Sequence, residues 1–204
     1  GVDLARFAPG PVQVTAPRPP VFLMSARLLW DKGVLEFIEA VRILKRRGID
    51  CEARLLGFMD VANPSAVPRE AVEAWQLEGV VSYLGETDDV RPMLAEATAA
   101  VLPSYREGTP RSLLEAAAMG KPVITTDAPG CRDVVRDGVN GYLVPVRDAQ
   151  ALAEAMARFA ALTPEARAAM GRASRELVET RFDERIVIQA YLDVLGGVVP
   201  VARS

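Results

Sequence analysis

Short apolar runs alternate along the chain with longer segments in which apolar residues recur every three or four positions. The apolar runs cover residues 21–24, 53–56, 80–84, 99–102, 122–125 and 142–144. Each run is apolar almost without interruption, which is typical of strands that are covered on both faces of a parallel sheet. We therefore predict a strand in each run.

The segments with helical spacing lie between and after these runs. Residues 33–47 place Leu35, Ile38, Val41 and Leu44 on one face of a predicted helix, with basic residues at its end. Further helices are predicted over residues 88–97, 110–119, 148–160, 164–180 and 183–195.

Strands that alternate with helices predict βαβ units and a parallel sheet with helices on both faces. The predicted fold is therefore α/β: a doubly wound parallel sheet over residues 18–160, followed by extra C-terminal helices and a tail over 161–204. Residues 1–17 precede it as a linker that runs into a proline-rich stretch. Ligands of such sheets bind beyond the carboxyl ends of the strands. The candidate βα loops are 25–33, 57–68, 85–88, 103–110 and 125–131.

Composition narrows the classes of function. The chain has 204 residues, with 24 basic and 27 acidic side chains and a net charge of -3, which gives no electrostatic basis for binding nucleic acid or an anionic membrane. It has no histidine, and so lacks the commonest general base and metal ligand. We interpret Cys51 and Cys131 as reduced thiols of a cytoplasmic protein. No apolar run reaches the roughly 18 residues of a transmembrane helix.

Two cations lie in the first βα loop. Arg27 and Lys32 stand between the first predicted strand and the first predicted helix. A guanidinium fork and an ammonium group at this edge of a sheet can together hold a diphosphate. The alternative is a solvated pair of surface charges, in which Lys32 meets Asp31 or Glu36.

The stretch SYREGTPRSLLEAAAMG follows the fourth predicted strand and starts a helix. We predict Thr109 as the N-cap and Pro110 as the first helical residue. The backbone N–H groups of Gly108, Thr109 and Arg111 would then point into the cleft. A helix N-terminus with free N–H groups is an anion site.

Two carboxylates belong to the same stretch. Glu107 precedes the cap and is expected at the rim of the cleft, whereas Glu115 lies about a turn and a half inside the helix, among leucine and alanine residues. A buried carboxylate is costly unless it accepts hydrogen bonds, and the adjacent hydroxyls of a ribose would donate them. The alternative is a structural ion pair between Glu115 and an arginine of a neighbouring helix.

The glycine fingerprints of two large enzyme classes are missing. The chain has neither G-x-G-x-x-G nor a Walker A sequence, which argues against a nicotinamide dehydrogenase and a P-loop phosphotransferase. Gly57 ends the second predicted strand, and residues 61–68 form either a lid over the site or an ordinary surface loop. Leu84 and Gly85 end the third, where backbone atoms can line a nucleobase.

Several of these features together resemble one family. Arg27 and Lys32, the phrase PSYREGTPRSLLEAAAMGKPVI with Glu107 and Glu115 in an E-x7-E arrangement, and DGVNGYLVPVRDAQALAEAM resemble the C-terminal domain of retaining GT-B glycosyltransferases of family 4 (group 1). The resemblance covers residues 1–195. It implies a Rossmann-like, donor-binding half of a GT-B fold. GVDLARFAP resembles the crossover from an N-terminal domain, so we expect the chain to be a fragment.

The resemblance implies a role for each matching residue. Arg27 and Lys32 would neutralise the donor diphosphate as it leaves, Glu107 would face the donor sugar, and Glu115 would bind the ribose. No metal and no other cofactor is expected. Residues 58–68 depart from the short Gly-rich turn that many members have. The other expected donor contacts are Gly57, Leu84, Gly85, Gly108, Thr109 and Leu114.

The implied function is transfer of a sugar, with retention, from a nucleotide-sugar to a saccharide or lipid-linked acceptor in the synthesis of cell-surface polysaccharide or lipopolysaccharide. Family frequency favours a UDP-sugar over a GDP-sugar. The acceptor would bind through the missing N-terminal domain, so the fragment alone is expected to be inactive. The enzyme would be cytoplasmic, with membrane contact, if any, peripheral at the inner face. The alternatives are a sugar-nucleotide epimerase of the same architecture and a non-catalytic, nucleotide-binding Rossmann-like module.

Overall fold

The computed structural model of the chain describes residues 1–10, 19–59 and 62–198. Six strands form one sheet in the order β3-β2-β1-β4-β5-β6, and every neighbouring pair is parallel. This arrangement confirms the predicted doubly wound parallel sheet. The strands are β1 (Val21–Ser25), β2 (Glu52–Leu56), β3 (Ser82–Tyr83), β4 (Ala99–Leu102), β5 (Val123–Thr126) and β6 (Gly141–Val144).

Seven α-helices connect and follow the strands in the described part of the chain. All of the predicted helices are present, although the helix predicted over residues 88–97 covers only Arg91–Glu96, and the helix Arg69–Leu77 was not predicted. The helices are α1 (Val34–Arg46), α2 (Arg69–Leu77), α3 (Arg91–Glu96), α4 (Arg111–Ala118), α5 (Ala149–Ala160), α6 (Pro164–Arg181) and α7 (Glu184–Val198).

The helices cover the sheet in two packed pairs. α1 packs against α5, and α4 packs against α6. Because crossovers between parallel strands are right-handed, the reversal of strand order between β1 and β4 puts these pairs on opposite faces. The rings of Phe22 and Phe159 meet edge to face at 5.8 Å between centroids. The apolar cluster around them extends from Val2 and Phe7 to Val178, so residues on both sides of the predicted sheet domain share its core.

The predicted apolar face of α1 is wrong at one end. Leu35 is 43% exposed, whereas Ile38, Val41 and Leu44 are buried together with Phe37. Residues spaced strictly by three drift by roughly 60° per step around a helix of 3.6 residues per turn. A run of four such positions therefore ends on the opposite side from where it starts.

The N-terminal segment, defined here as residues 1–7, is held by α6 and by the start of α7. The N–H of Val2 donates to the carbonyl of Phe182 at 2.8 Å. The guanidinium of Arg175 donates to the carbonyl oxygens of Leu4, Phe7 and Ala118 at 3.3, 3.0 and 2.8 Å. This segment therefore lies against α4. Residues 11–17 of the predicted linker, with the boundary between residues 17 and 18, lie outside the described residues.

No helix in the described part of the chain combines the length and the apolar character needed to cross a membrane.

Candidate functional site

The site lies where the strand order reverses. β1 and β4 are neighbours, but the strand that follows β1 is added on one side and the strand that follows β4 on the other. Ligands of open α/β sheets bind at such a point. A cleft of about 630 Å³ opens beyond the carboxyl ends of β1, β2 and β4. Residues following β1, β2, β3 and β4 all line it, together with the first residues of α4.

Lys32 and Glu107 form an ion pair within this cleft. Lys32 Nζ donates to Glu107 Oε1 at 2.6 Å, and each side chain is only 14% exposed. The pair joins the loop after β1 to the loop after β4. Asp31 and Glu36, the alternative partners of Lys32, instead accept hydrogen bonds from Ser65 Oγ and from the Tyr105 hydroxyl.

Arg27 lines the same cleft but is exposed. Among the residues that the structure describes, no acidic side chain forms an ion pair with Arg27. Its guanidinium is therefore available to an anion that enters the cleft. Of the alternative, a solvated pair with Lys32 meeting Asp31 or Glu36, the described residues show an exposed Arg27 but neither of these contacts of Lys32.

Gly57 shapes the cleft after β2. Its φ is 147°, and a Cβ at this position would overlap the carbonyl oxygen of Ala26, so only glycine lets the loops after β1 and β2 come this close. Its N–H donates to the Gly85 carbonyl at 2.9 Å, and its carbonyl accepts from the Tyr83 hydroxyl at 2.8 Å. Gly85 thus supports Gly57, and neither Gly85 nor the partly exposed Leu84 is among the residues that line the cleft.

The loop that carries Glu107 is fixed on two sides. The N–H of Tyr105 donates to the Asp31 carbonyl at 2.9 Å, and the N–H of Glu107 donates to the Pro129 carbonyl at 3.2 Å. The Tyr105 hydroxyl donates to Glu36 at 2.6 Å. Burial, together with this hydrogen bond, raises the pKa of Tyr105 to about 12. Glu107 therefore projects from a braced loop.

The N-terminus of α4 faces the cleft through Pro110, Arg111 and Ser112. The predicted N-cap is wrong: Pro110 occupies that position, without a side-chain hydrogen bond, and the helix begins at Arg111. Proline suits the extended backbone of the N-cap position, but its side chain has no oxygen to accept a hydrogen bond from the helix N–H groups. In the described chain, no protein group accepts from the N–H of Gly108, Thr109, Arg111 or Ser112. Unpaired N–H groups at a helix start favour an anion.

Glu115 does not line the main cleft. With Leu114 it lines a smaller cavity of about 180 Å³, closed on its other side by the N-terminal segment. The Glu115 side chain is 18% exposed and lies 3.7 Å from Arg111 of its own helix; an ion pair with another helix was the alternative, and it is not observed. Burial raises the pKa of Glu115, and the nearby charges of Arg111 and Arg6 oppose this. Arg111 lines both cavities and so links them.

The loop before α2 is bound to the loop after β1. The N–H of Trp30 donates to the Ser65 carbonyl at 2.8 Å, and the N–H of Val67 donates to the Leu28 carbonyl at 2.9 Å. The described part of this loop therefore lies along the loop that follows β1 and forms a rim there. Its residues 60 and 61 lie outside the described residues.

Among the cavity-lining residues that were not predicted from the sequence are three side chains of the main cleft and one of the smaller cavity. Phe58, Thr87 and Val90 line the main cleft, and Arg6 lines the cavity of Glu115. Phe58 had a usable signal, because it directly follows the glycine that ends a strand. Arg6 had none, since it lies in a segment that was predicted to be a linker.

The described residues include no group of three or more Cys, Asp or Glu side chains close enough to hold a metal ion.

Comparison with known proteins decides the family. The family described as "Glycosyl transferases group 1" matches residues 11–177, which is most of the chain. The chain belongs to this family.

Three curated relatives from bacteria are named as sugar transferases. WcaL of Escherichia coli (strain K12), named for colanic acid biosynthesis, is 37% identical over 196 residues, covering 92% of this chain and 47% of WcaL. An N,N'-diacetylbacillosaminyl-diphospho-undecaprenol alpha-1,3-N-acetylgalactosaminyltransferase of Campylobacter jejuni is 31% identical. The match covers 98% of this chain and 53% of that enzyme. The amylovoran biosynthesis glycosyltransferase AmsK of Erwinia amylovora is 33% identical, and the match covers 85% of this chain and 44% of AmsK. The chain thus spans about half the length of these relatives.

Crystal structures of glycosyltransferases share the fold. Anabaena HepE in complex with UDP has a TM-score of 0.82 at 23% identity, covering 97% of this chain and 56% of HepE. The C-terminal domain of the group 1 protein LpcC from Francisella tularensis has a TM-score of 0.70 at 24% identity, covering 90% and 99%. The predicted Rossmann-like half of a GT-B fold is thereby confirmed.

Proposed function

We propose that the chain is the donor-binding part of a retaining glycosyltransferase. It would hold a nucleotide-sugar, most simply a UDP-sugar, for transfer to a saccharide or lipid-linked acceptor in cell-surface polysaccharide or lipopolysaccharide synthesis. The observation that carries the proposal is the cleft itself, where the unpaired Arg27, the Lys32–Glu107 pair and the free N–H groups of α4 surround one space.

The relatives support the choice of substrates. HepE has been crystallised with UDP and with UDP-glucose, which favours a uridine nucleotide. The Campylobacter relative is named for an acceptor on diphospho-undecaprenol, which favours a lipid-linked acceptor. An enzyme with such an acceptor would work at the inner face of the cell membrane, with peripheral contact only.

The cleft fits the departure of a diphosphate. Negative charge grows on the leaving phosphate as the bond to the sugar breaks, and preorganised cations and N–H groups stabilise that charge without rearranging. Arg27 and Lys32 would supply the cations, and Gly108, Thr109 and the α4 N-terminus the N–H groups. These groups perform the work that a metal ion performs in other transferases, so we infer that no metal is required.

The two glutamates would take different parts of the donor. Glu107, braced at the rim, would accept hydrogen bonds from hydroxyls of the donor sugar. Glu115 would accept them from the ribose, which requires the donor to bridge the main cleft and the smaller cavity past Arg111. A front-face attack, in which the leaving phosphate takes the acceptor proton, gives retention without a protein nucleophile.

Calorimetric titration of the 204-residue chain with UDP and with uridine tests the proposal. Arg27→Ala should weaken UDP binding on the order of tenfold, since a charge-assisted hydrogen bond to phosphate is lost, and should leave uridine binding unchanged. Arg47→Ala, which removes an exposed arginine paired with Glu154 far from the cleft, is the matched control. Equal losses for UDP and uridine would remove Arg27 from the diphosphate. A wild-type chain that binds neither UDP nor a UDP-sugar at millimolar concentration would overturn the proposal.

Retention has its own test. In any preparation that transfers sugar, NMR of the product gives its anomeric configuration. An inverted product would refute the retaining mechanism and leave donor binding intact.

A further inference from the structure

Phe58 is an exposed aromatic residue inside the cleft. Its side chain is 48% exposed, and it lines the cleft together with Arg27 and Gly57. Among the large apolar side chains that the structure describes as exposed, Phe58 alone lines this cleft. A phenyl ring that faces water in an open cleft can still gain contacts with an apolar or planar ligand.

The backbone presents this ring from a fixed point. Gly57 is locked between Ala26 and Gly85, as described above. The carbonyl of Phe58 itself accepts a hydrogen bond from the N–H of Leu28 at 3.0 Å. The ring thus projects from two adjacent anchored residues, and little ordering entropy remains to be lost when a ligand contacts it.

The strand order sets what lies on either side of Phe58. β2, which precedes it, lies between β1 and β3. The loop after β1 carries the cation Arg27, whereas the loop after β3 contributes the uncharged Thr87 and Val90. Neighbouring strands are about 4.8 Å apart, so the β1 and β3 ends of the cleft are separated by roughly 10 Å. A charged group at one end and a flat, neutral group at the other match the two ends of a nucleoside diphosphate.

We propose that Phe58 is the stacking surface for the nucleobase of the donor. The diphosphate binds on Arg27 and the α4 N-terminus, and the base extends across β2 onto the phenyl ring, towards Thr87 and Val90. This inference rests on the proposed function and adds to it a binding residue outside the Arg27, Lys32, Glu107 and Glu115 set. Stacking requires a π-face and does not depend on which base is bound. Phe58 therefore contributes affinity for the nucleotide, and hydrogen bonds with the neighbouring backbone determine which base is preferred.

Two probes separate stacking from charge: UDP, which has a base, and inorganic pyrophosphate, which has none. We expect Phe58→Ala and Phe58→Leu to weaken UDP binding about tenfold, in the range for losing one base–aromatic stack, and to leave pyrophosphate binding unchanged. Phe58→Trp keeps a π-face and should bind UDP at least as tightly as wild type. Its new indole fluorescence should be quenched by UDP and not by pyrophosphate. Leu77→Ala, at an exposed residue of α2 outside the cleft, is the matched control.

The outcomes distinguish this inference from the proposed function. If Phe58→Ala binds UDP as wild type does while Arg27→Ala loses affinity, stacking on Phe58 is refuted and donor binding stands. If Phe58→Ala weakens UDP and pyrophosphate equally, the ring supports the loop and is not a stacking surface. If the wild-type chain binds pyrophosphate but neither UDP nor a UDP-sugar, both ideas fail. Thermal unfolding of each variant, with a midpoint close to that of wild type, establishes that the fold is kept.

Discussion

Replacing Glu107 with Gln leaves the Lys32 ammonium group in the cleft without a counter-charge. The two side chains touch at 2.6 Å and are each 14% exposed. Breaking a fully buried pair by removing one partner costs about 3–5 kcal/mol, whereas exposed pairs contribute about 0–1 kcal/mol. Because this pair is mostly buried yet borders an open cleft, and because Gln still accepts a hydrogen bond, we expect a loss of about 1–2 kcal/mol in unfolding free energy. For a chain of this size, that lowers the melting temperature by about 2–4 °C per kcal/mol.

The same substitution should strengthen anion binding. Removing a negative charge that lies within contact of Lys32 lowers the electrostatic cost of bringing in a phosphate. At surface-like screening a unit charge a few ångströms away is worth on the order of 1 kcal/mol, roughly a fivefold change in affinity. Glu107→Gln should therefore bind pyrophosphate more tightly than wild type while being less stable, and these two effects have opposite signs.

A double-mutant cycle measures the pair directly. Urea unfolding of wild type, Glu107→Gln, Lys32→Met and the double variant should give a coupling free energy of about 1 kcal/mol. The exposed pair of Arg47 and Glu154, treated in the same way, should give no measurable coupling. Additivity within about 0.5 kcal/mol at Lys32 and Glu107, or weaker pyrophosphate binding by Glu107→Gln, would refute the electrostatic reasoning.

Three further predictions concern the parts around the cleft. Burial raises the pKa of Glu115, so uridine binding should weaken as the pH falls through a midpoint above that of an ordinary carboxyl group; Glu115→Gln should show no such midpoint, and a wild-type midpoint at the ordinary value would contradict the prediction. Since the fold favours the protonated form, wild type should lose stability relative to Glu115→Gln as the pH rises from the ordinary carboxyl pKa to this midpoint, with no further change above it. Gly57→Ala forces a side chain into a carbonyl oxygen at a φ of 147° and should cost about 3 kcal/mol or more, against about 1–2 kcal/mol for Gly79→Ala, which has open space; similar urea midpoints for both would refute the close approach. Arg175→Ala removes the donor that binds three carbonyls and should speed amide exchange in the N-terminal segment, an effect absent from the exposed control Arg172→Ala; unchanged exchange would show that the segment is held by other contacts.

Most of the sheet could be predicted from the sequence because strands such as β1 and β4 are nearly uninterrupted apolar runs, which a doubly covered parallel strand buries on both sides. β2 and the edge strand β3 instead include Arg54 and Ser82, which are not buried.

Helix α2 was not predicted because only Val72 and Trp75 of its nine residues are buried. Two buried positions give too little helical periodicity to indicate a helix. The N-cap of α4 was mispredicted because Thr109 and Pro110 fit a capping pair by type, whereas the backbone enters the helix one residue later.

The site was predicted where topology brings residues together. Arg27, Lys32 and Glu107 follow β1 and β4, and the carboxyl ends of these two neighbouring parallel strands necessarily share one edge. The Lys32–Glu107 contact itself could not be predicted, because nearer acidic residues in sequence offered equally good charges. The cavity around Glu115 depends on the N-terminal segment folding back onto α4, through contacts with Arg175 that are about 170 residues apart in sequence, and no local pattern reports such contacts.

The two cations of the cleft, Arg27 and Lys32, are not equivalent, because only Lys32 of the two forms an ion pair among the described residues. Lys32 is neutralised by Glu107 before any ligand arrives, so a diphosphate that uses Lys32 must share it with a carboxylate. Arg27 is exposed and has no ion pair among the described residues, and the N–H groups at the start of α4 are likewise free. Under the proposed function, an incoming diphosphate would therefore gain most of its ground-state affinity from Arg27 and α4. Under the proposed function, Glu107 would hold Lys32 in place, and negative charge that builds on the leaving phosphate would attract the ammonium group away from Glu107. The Lys32–Glu107 pair thus keeps a partly neutralised cation at the cleft, and a departing diphosphate would have to compete with Glu107 for it.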